Sequence, residues 1–318
     1  MRVHQYSDDL EDLWDDFRRS LARRNRSEAT VSVYRKSFES FWGWAIPAGI
    51  TDPAAVTFRQ INAWTDHLLT APTMRNGRPA LDASGQPRTL EASTRRIRYS
   101  NLRPFFTWYA KEFDASHPFD RVDAPGDDRP TPIPVVELDD VRRLLATATG
   151  PDLIDRRDTA IIRVLFDTGA RLGELVNMTV DGWDRRNDFL TLTGKTGTRV
   201  VPASPSTGEA LSRYLRVRKT HPHARLPDLW LGTKGRLGPT GVAQLLRRRC
   251  GLAGIEHVNP HRFRHTWAHT FRAEGGSEGD LMYLAGWSST AMAHRYGRSA
   301  ASERAQETAR SLNLGDRL

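Results

Sequence analysis

The chain has 318 residues, 38% hydrophobic and 27% charged, which is enough to bury two cores, and no run approaches the ~18 apolar residues of a membrane span. Its acidic opening (Asp8, Asp9, Glu11, Asp12) is unlike a secretory signal, and its one cysteine, Cys250, excludes an internal disulfide, so a cytoplasmic setting is expected. The net charge of +9 points to a polyanionic partner.

Leu10, Leu13, Trp14, Phe17 and Leu21 recur at helical spacing. Ser7 stands as N-cap, and Arg18, Arg19, Arg23 and Arg24 fill the far end, in line with the helix dipole. A second helix over about 27–45 carries the stripe Val31, Tyr34, Phe38, Phe41 and Ala45 and stops at Pro47 and Gly49. Thr57 with Gln60 reads as a capping box opening a third helix, whose inner face is Ile61, Trp64 and Leu68. Residues 71–89, with Pro72, Gly77, Pro79, Gly85 and Pro87, read as an irregular loop. A fourth helix, about 90–113, turns Ile97, Leu102, Phe105, Phe106 and Tyr109 inward, with a kink expected at Pro104. Trp14, Trp42, Trp44, Trp64 and Trp108 read as core rather than as platforms for stacked bases.

Pro118, Pro125, Pro130, Pro132 and Pro134, with Gly126, then break all periodicity. The expected organisation is a domain over 1–120, a linker over 121–134 and a second domain over 135–318. The second domain opens with helices at about 137–148 and 155–167, the latter burying Ile161, Ile162, Leu165 and Phe166. Phe189, Leu190 and Leu192 alternate as a strand, residues 194–197 turn, and Arg199 to Pro202 return. Helices follow at about 206–219, 239–250, 260–273, 278–284, 289–296 and 301–312. The fold class is therefore mainly α: a four-helix N-terminal domain, then a mostly helical domain with a small antiparallel sheet.

Positive charge is clustered. Arg88 to Arg103 holds five arginines against Glu91, and Lys234 to Arg264 holds seven lysines or arginines against Glu256. Two such clusters in two domains favour a clamp around duplex DNA, with Arg88, Arg95, Arg96, Arg98, Lys234, Arg236, Arg247 and Arg248 on its phosphates. Only five lysines occur among 47 basic residues, so Lys195 between two glycines stands out.

Five motifs carry chemistry: Thr168-Gly169-Ala170-Arg171-Leu172-Gly173-Glu174-Leu175, Thr193-Gly194-Lys195-Thr196-Gly197, His261-Arg262-Phe263-Arg264-His265, Gly286-Trp287 and Arg295-Tyr296-Gly297. Brought together, they supply cations for non-bridging phosphate oxygens, a proton donor for a leaving group and a hydroxyl nucleophile that needs no metal. Arg171 follows a glycine where one helix ends and another begins, and Glu174 is placed to orient an arginine rather than to act as an acid. His261, His265 and His269 at i, i+4 and i+8 invite a metal, but Arg262 stands where a zincin helix has glutamate and the neighbouring arginines repel a cation, so no metal is expected.

The ordered set resembles the tyrosine recombinase (phage integrase) family over nearly the whole chain. The resemblance implies a SAM-like core-binding domain followed by a catalytic domain. It implies that Arg171 and Arg264 hold the scissile phosphate, Lys195 protonates the departing 5′-oxygen, and His261 handles the tyrosine proton or helps hold the phosphate. Trp287 occupies the family's histidine-or-tryptophan position, and Tyr296 is the nucleophile; Tyr283, among apolar neighbours, reads as core. No nucleotide motif is seen, and a covalent intermediate that keeps the bond energy needs no cofactor. The implied partner is double-stranded DNA with specific recombination sites, bound by a homotetramer that exchanges the helix at 301–312, with accessory proteins allowed. With the first helix starting near residue 7, a compact mobile-element or phage integrase without an arm-binding domain is expected. The alternatives are a host-type chromosome-dimer resolvase, a type IB topoisomerase and a non-catalytic DNA-binding regulator.

Overall fold

The computed structural model describes residues 8–75, 77–122, 124, 134–195, 197–290, 306 and 310. Its contacts divide the chain into two units, Met1–Thr131 and Pro132–Leu318. No described helix is long and apolar enough to cross a membrane.

The first unit is built on α1 (Asp8–Arg23), α2 (Glu28–Ala45), α3 (Phe58–Thr70) and α4 (Ala92–Glu112). Leu10, Trp14, Phe17 and Leu21 of α1 are buried, as the 3.6-residue period requires; its proposed cap Ser7 lies outside the described residues. Ser27 caps α2 by accepting from the Thr30 amide, and Thr57 with Gln60 closes a capping box on α3. Trp14, Trp42, Trp64 and Trp108 are core, with Trp44 packed against them. The α4 helix keeps one span through Pro104, so the proline removes a hydrogen bond without ending the helix.

Two sequence expectations need correction here. Ile97 is 56% exposed, because the buried stripe of α4 runs through Tyr99, Leu102, Phe105, Phe106 and Tyr109 and position 97 falls off it. Residues 71–89 are not irregular: β1 (Met74–Arg75) and β2 (Arg78–Pro79) pair antiparallel. Bridges at Pro72–Thr89 and Leu81–Pro87 extend the arrangement, and its amides are used in turn, Thr73 to Arg88, Ala80 to Thr73 and Arg88 to Ala80. Gly77 and Gly85, at φ +74° and +80°, supply the turn conformations that side chains resist.

The second unit centres on α6 (Leu153–Thr168), which packs against α5 (Leu138–Ala146), α7 (Leu172–Val176), α8 (Pro205–Arg218) and α10 (Pro260–Ala273). It can be central because Ala160, Ile161, Ile162, Val164 and Leu165 clothe most of its circumference and are all fully buried. One polar group shares that burial. Asp158 is inaccessible and accepts from Arg157, Arg248 and Arg249. Arg249 also pairs with Asp155, which holds the Asp155 carboxyl below its ordinary range.

The sheet orders β3 (Trp183–Asp184), β4 (Phe189–Gly194) and β5 (Gly197–Pro202) antiparallel. Leu190 faces Val201 and Leu192 faces Arg199, so these four side chains share the inward face. β3 and the hairpin of β6 (Leu231–Gly232) with β7 (Gly235–Arg236) add strands that the sequence pattern did not show. Helices α9 (Pro239–Ala253) and α11 (Glu278–Ala285) are the other described α-helices of this unit. Beyond residue 290 only Gln306 and Arg310 are described, so the expected helices at 289–296 and 301–312 lie almost wholly outside the described residues.

Candidate active site

The site starts where α6 ends. Gly169 adopts φ +59° as the C-cap, and a Cβ there would sit 2.5 Å from the Trp267 ring, so the position is closed to side chains on two counts. Two residues on, Arg171 is the N-cap of α7, and Glu174 reaches back to accept from the Arg171 amide at 2.8 Å and its Nη1 at 2.7 Å. The same carboxylate accepts a fork from Arg199, Nη1 at 2.5 Å and Nη2 at 2.8 Å. Arg264, on the first turns of α10, is 4% exposed and donates to the Gly169 carbonyl at 2.8 Å and the Ala285 carbonyl at 2.6 Å. Its guanidinium carbon stands 5.2 Å from the centre of the Trp287 ring.

Three arginines meet at one helix end. Arg199 Nε donates to the Leu284 carbonyl, Arg264 Nη2 to Ala285 and Arg171 Nη2 to Gly286. These are carbonyls that a helix C-terminus leaves without internal donors, and they lie at the negative end of the helix dipole. Gly286, at φ +62°, permits the approach; a Cβ would come 3.2 Å from Arg199 Nη1 and 3.4 Å from Arg171 Nη1.

The electrostatics follow. Among the described residues, three guanidiniums share one carboxylate and four neutral carbonyls, so positive charge outweighs negative in this part of the cluster. Burial alone would raise the Glu174 carboxyl, but hydrogen bonds from Arg199 and Arg171 and the Arg199 charge override it and hold it at about 2. Folded stability from this carboxylate is therefore complete above its ordinary 4.5 and is lost as pH falls toward 2. Glu174→Gln should lower stability by about 3 kcal/mol near neutrality, with wild-type and variant denaturation midpoints converging as pH drops from 5 toward 3. A gap that stays constant over that range contradicts the assignment.

The other candidates are placed as follows. Lys195 is exposed in the turn between β4 and β5. His261 is exposed on the first turn of α10, its ring 6.5 Å from that of His265. Tyr296 lies outside the described residues. The structure thus joins Arg171, Glu174, Arg264 and Trp287 by direct contacts, and puts Lys195 and His261 on the elements that carry the cluster. Among the basic residues, Arg88, Arg96, Lys234, Arg236, Arg247 and Arg248 are exposed. Arg95 and Arg98 are half-buried and donate to the Leu90 carbonyl and Ser40 Oγ, so they are tied into the first unit rather than presented as a solvated stripe. Arg236 pairs with Asp228 and Arg248 with Asp158, giving both a structural anchor.

Tyr283 is a correction. It is 70% exposed rather than core, because the buried stripe of α11 is Leu281 and Ala285 and position 283 faces away from it. It lines a surface cleft of about 310 Å³ with Arg199 and Trp287.

Arg199 is the participant that sequence reasoning missed. The strand alternation that turns Val201 inward also turns Arg199 inward, and a charged residue on an apolar strand face was the available signal.

Residues 134–303 match the phage integrase family. The chain is 33% identical over 201 residues to tyrosine recombinase XerD of Caulobacter vibrioides, covering 60% of this chain and 65% of that protein. It is 27% identical over 262 residues to tyrosine recombinase XerD of Corynebacterium glutamicum, covering 80% and 82%. A solved structure of the Tn1549 transposon integrase in complex with transposon right-end DNA superimposes with a TM-score of 0.73 at 17% identity, covering 93% of this chain and 99% of that one.

Proposed function

Because the chain belongs to the phage integrase family, we propose that it is a site-specific DNA recombinase that cleaves and rejoins strands through a 3′-phosphotyrosyl intermediate. The observation that carries this reading is convergence: among the described residues, Arg171 and Arg264 meet at one helix end beside Trp287, and two cations held this close favour an anion between them.

In this reading Arg171 and Arg264 bind the non-bridging oxygens of the scissile phosphate, and their attraction grows as charge develops in the transition state. Tyr296 loses its phenolic proton to His261 as its oxygen bonds to phosphorus. The phosphorus–O5′ bond breaks, and Lys195 delivers a proton to that oxygen. Trp287 packs beneath Arg264 and donates through its indole N–H without shuttling protons. The 5′-hydroxyl of a partner strand then reverses these steps, so no cofactor is consumed.

The proposed substrate is duplex DNA carrying specific sites at the ends of a mobile element or phage, contacted by Arg88, Arg96, Lys234 and Arg247. The working assembly is a cytoplasmic homotetramer that exchanges the 301–312 helix, with accessory proteins admitted. The test is to denature the protein after incubation with genomic DNA in a chelator, recover what stays attached and sequence it. The reading expects adducts concentrated at element junctions; adducts at a single chromosomal resolution site support the host-type alternative, and no covalent adduct at all overturns the recombinase reading.

A further inference from the structure

Arg199 lies four residues beyond Lys195, on the strand that closes the same hairpin. Its side chain is 8% exposed, and its hydrogen bonds to described residues leave the hairpin. Two go as a fork to Glu174, the carboxylate that also holds Arg171, and one goes to the Leu284 carbonyl at the end of α11, three residues before Trp287. One guanidinium therefore joins three separate segments: the hairpin with Lys195, the turn with Arg171, and the helix end that leads toward Trp287.

The packing around it leaves no slack. Gly194, immediately before Lys195, lies so close to Glu174 that a Cβ there would stand 2.9 Å from its Cγ. At Gly286 the contacts are looser but still tight, with the Arg199 and Arg171 guanidiniums 3.2 and 3.4 Å from where a Cβ would stand. The hairpin is thus seated on Glu174 from both of its strands, by contact through Gly194 and by the charged fork from Arg199. β3 pairs only with Phe189 and Leu190 at the base of β4, so toward the tip the hairpin has two strands alone and this seat sets where the tip rests.

We propose that Arg199 is a positioning residue that fixes the Lys195 hairpin against the arginine cluster, and so sets the delivery of the proton to the departing 5′-oxygen. The inference rests on the reading of Lys195 as general acid. Arg199 touches no reacting atom; it acts through the position of Lys195. A planar fork is needed because two carboxylate oxygens and a carbonyl are engaged at once, which an ammonium cannot reproduce.

Because the defect would be confined to proton delivery, it has a signature that general unfolding lacks. Single-turnover cleavage is measured with full-length protein on a nicked duplex bearing its site. The scissile linkage is either ordinary or a 5′-bridging phosphorothioate, whose sulfur leaves without a proton. Arg199→Ala should slow the ordinary substrate by on the order of 10² and the sulfur substrate by less than about tenfold, the same pattern as Lys195→Ala. Arg199→Lys, which keeps the charge but not the fork, should fall between wild type and Arg199→Ala with the same sulfur preference. Gly194→Ala, which unseats the hairpin while leaving Arg199 in place, should reproduce that preference. Equal slowing of both substrates in these variants, with Lys195→Ala still rescued by sulfur, overturns the positioning role alone. Failure of sulfur to rescue Lys195→Ala overturns the acid role and this inference with it.

Discussion

Arg264→Ala should slow strand cleavage by on the order of 10² or more, the largest loss expected from any one cation at the site. The residue does two things at once. It carries a positive charge to the proposed phosphate position, and it ties the end of α6 to the end of α11 through the Gly169 and Ala285 carbonyls. Alanine leaves both buried carbonyls without these donors, at roughly 1–3 kcal/mol each, so a fall in stability should accompany the fall in rate. Arg264→Lys separates the two effects: the charge remains, but a single ammonium cannot span both carbonyls and an anion. Its cleavage should still be slower than wild type by at least about tenfold, while the salt dependence of DNA binding stays nearly unchanged because the charge count is the same. A lysine variant with the wild-type rate removes Arg264 from the phosphate site.

Asp158→Ala should be the most destabilising of the single changes considered, by about 3–5 kcal/mol. The carboxylate is inaccessible, and its loss strands the buried guanidiniums of Arg157 and Arg249, leaving Arg249 with the half-buried Asp155 as its one charged partner among the described residues. For a unit of this size that corresponds to a melting temperature lower by roughly 10 °C. Arg248→Ala breaks an ion pair whose arginine is 49% exposed, and should cost no more than about 1 kcal/mol. Equal losses for the two variants contradict the view that Asp158 serves mainly the buried pair.

What could be read from the sequence depended on how local the cause was. Helix stripes such as Leu10, Trp14, Phe17 and Leu21 are set by a period within one element, and caps such as Thr57 with Gln60 by neighbours three residues apart. The β4–β5 hairpin declared itself through alternation and its glycines. The short strands β1, β2, β6 and β7 carry two residues each, too few for any period to show. Around Ile97 and Tyr283 the apolar neighbours say nothing about phase, and the phase of α4 and α11 is set by what packs against them. The motif order singled out Arg171, Glu174 and Arg264 as candidates, while the convergence of Arg171 and Arg264 with Arg199 on three successive carbonyls at the end of α11 is a tertiary fact. Arg199 belongs to that tertiary layer: its partners lie 25 and 85 residues away in sequence.

The central claim, covalent chemistry through one hydroxyl, is tested most directly by trapping the intermediate. A nicked duplex carrying the recombination site, incubated with protein in a chelator and then denatured, should yield a protein–DNA adduct whose linkage maps by peptide sequencing to Tyr296. Tyr296→Phe should abolish the adduct with DNA binding almost intact, since one oxygen is removed, and Tyr283→Phe should retain it. An adduct that survives in Tyr296→Phe and disappears in Tyr283→Phe would contradict the account.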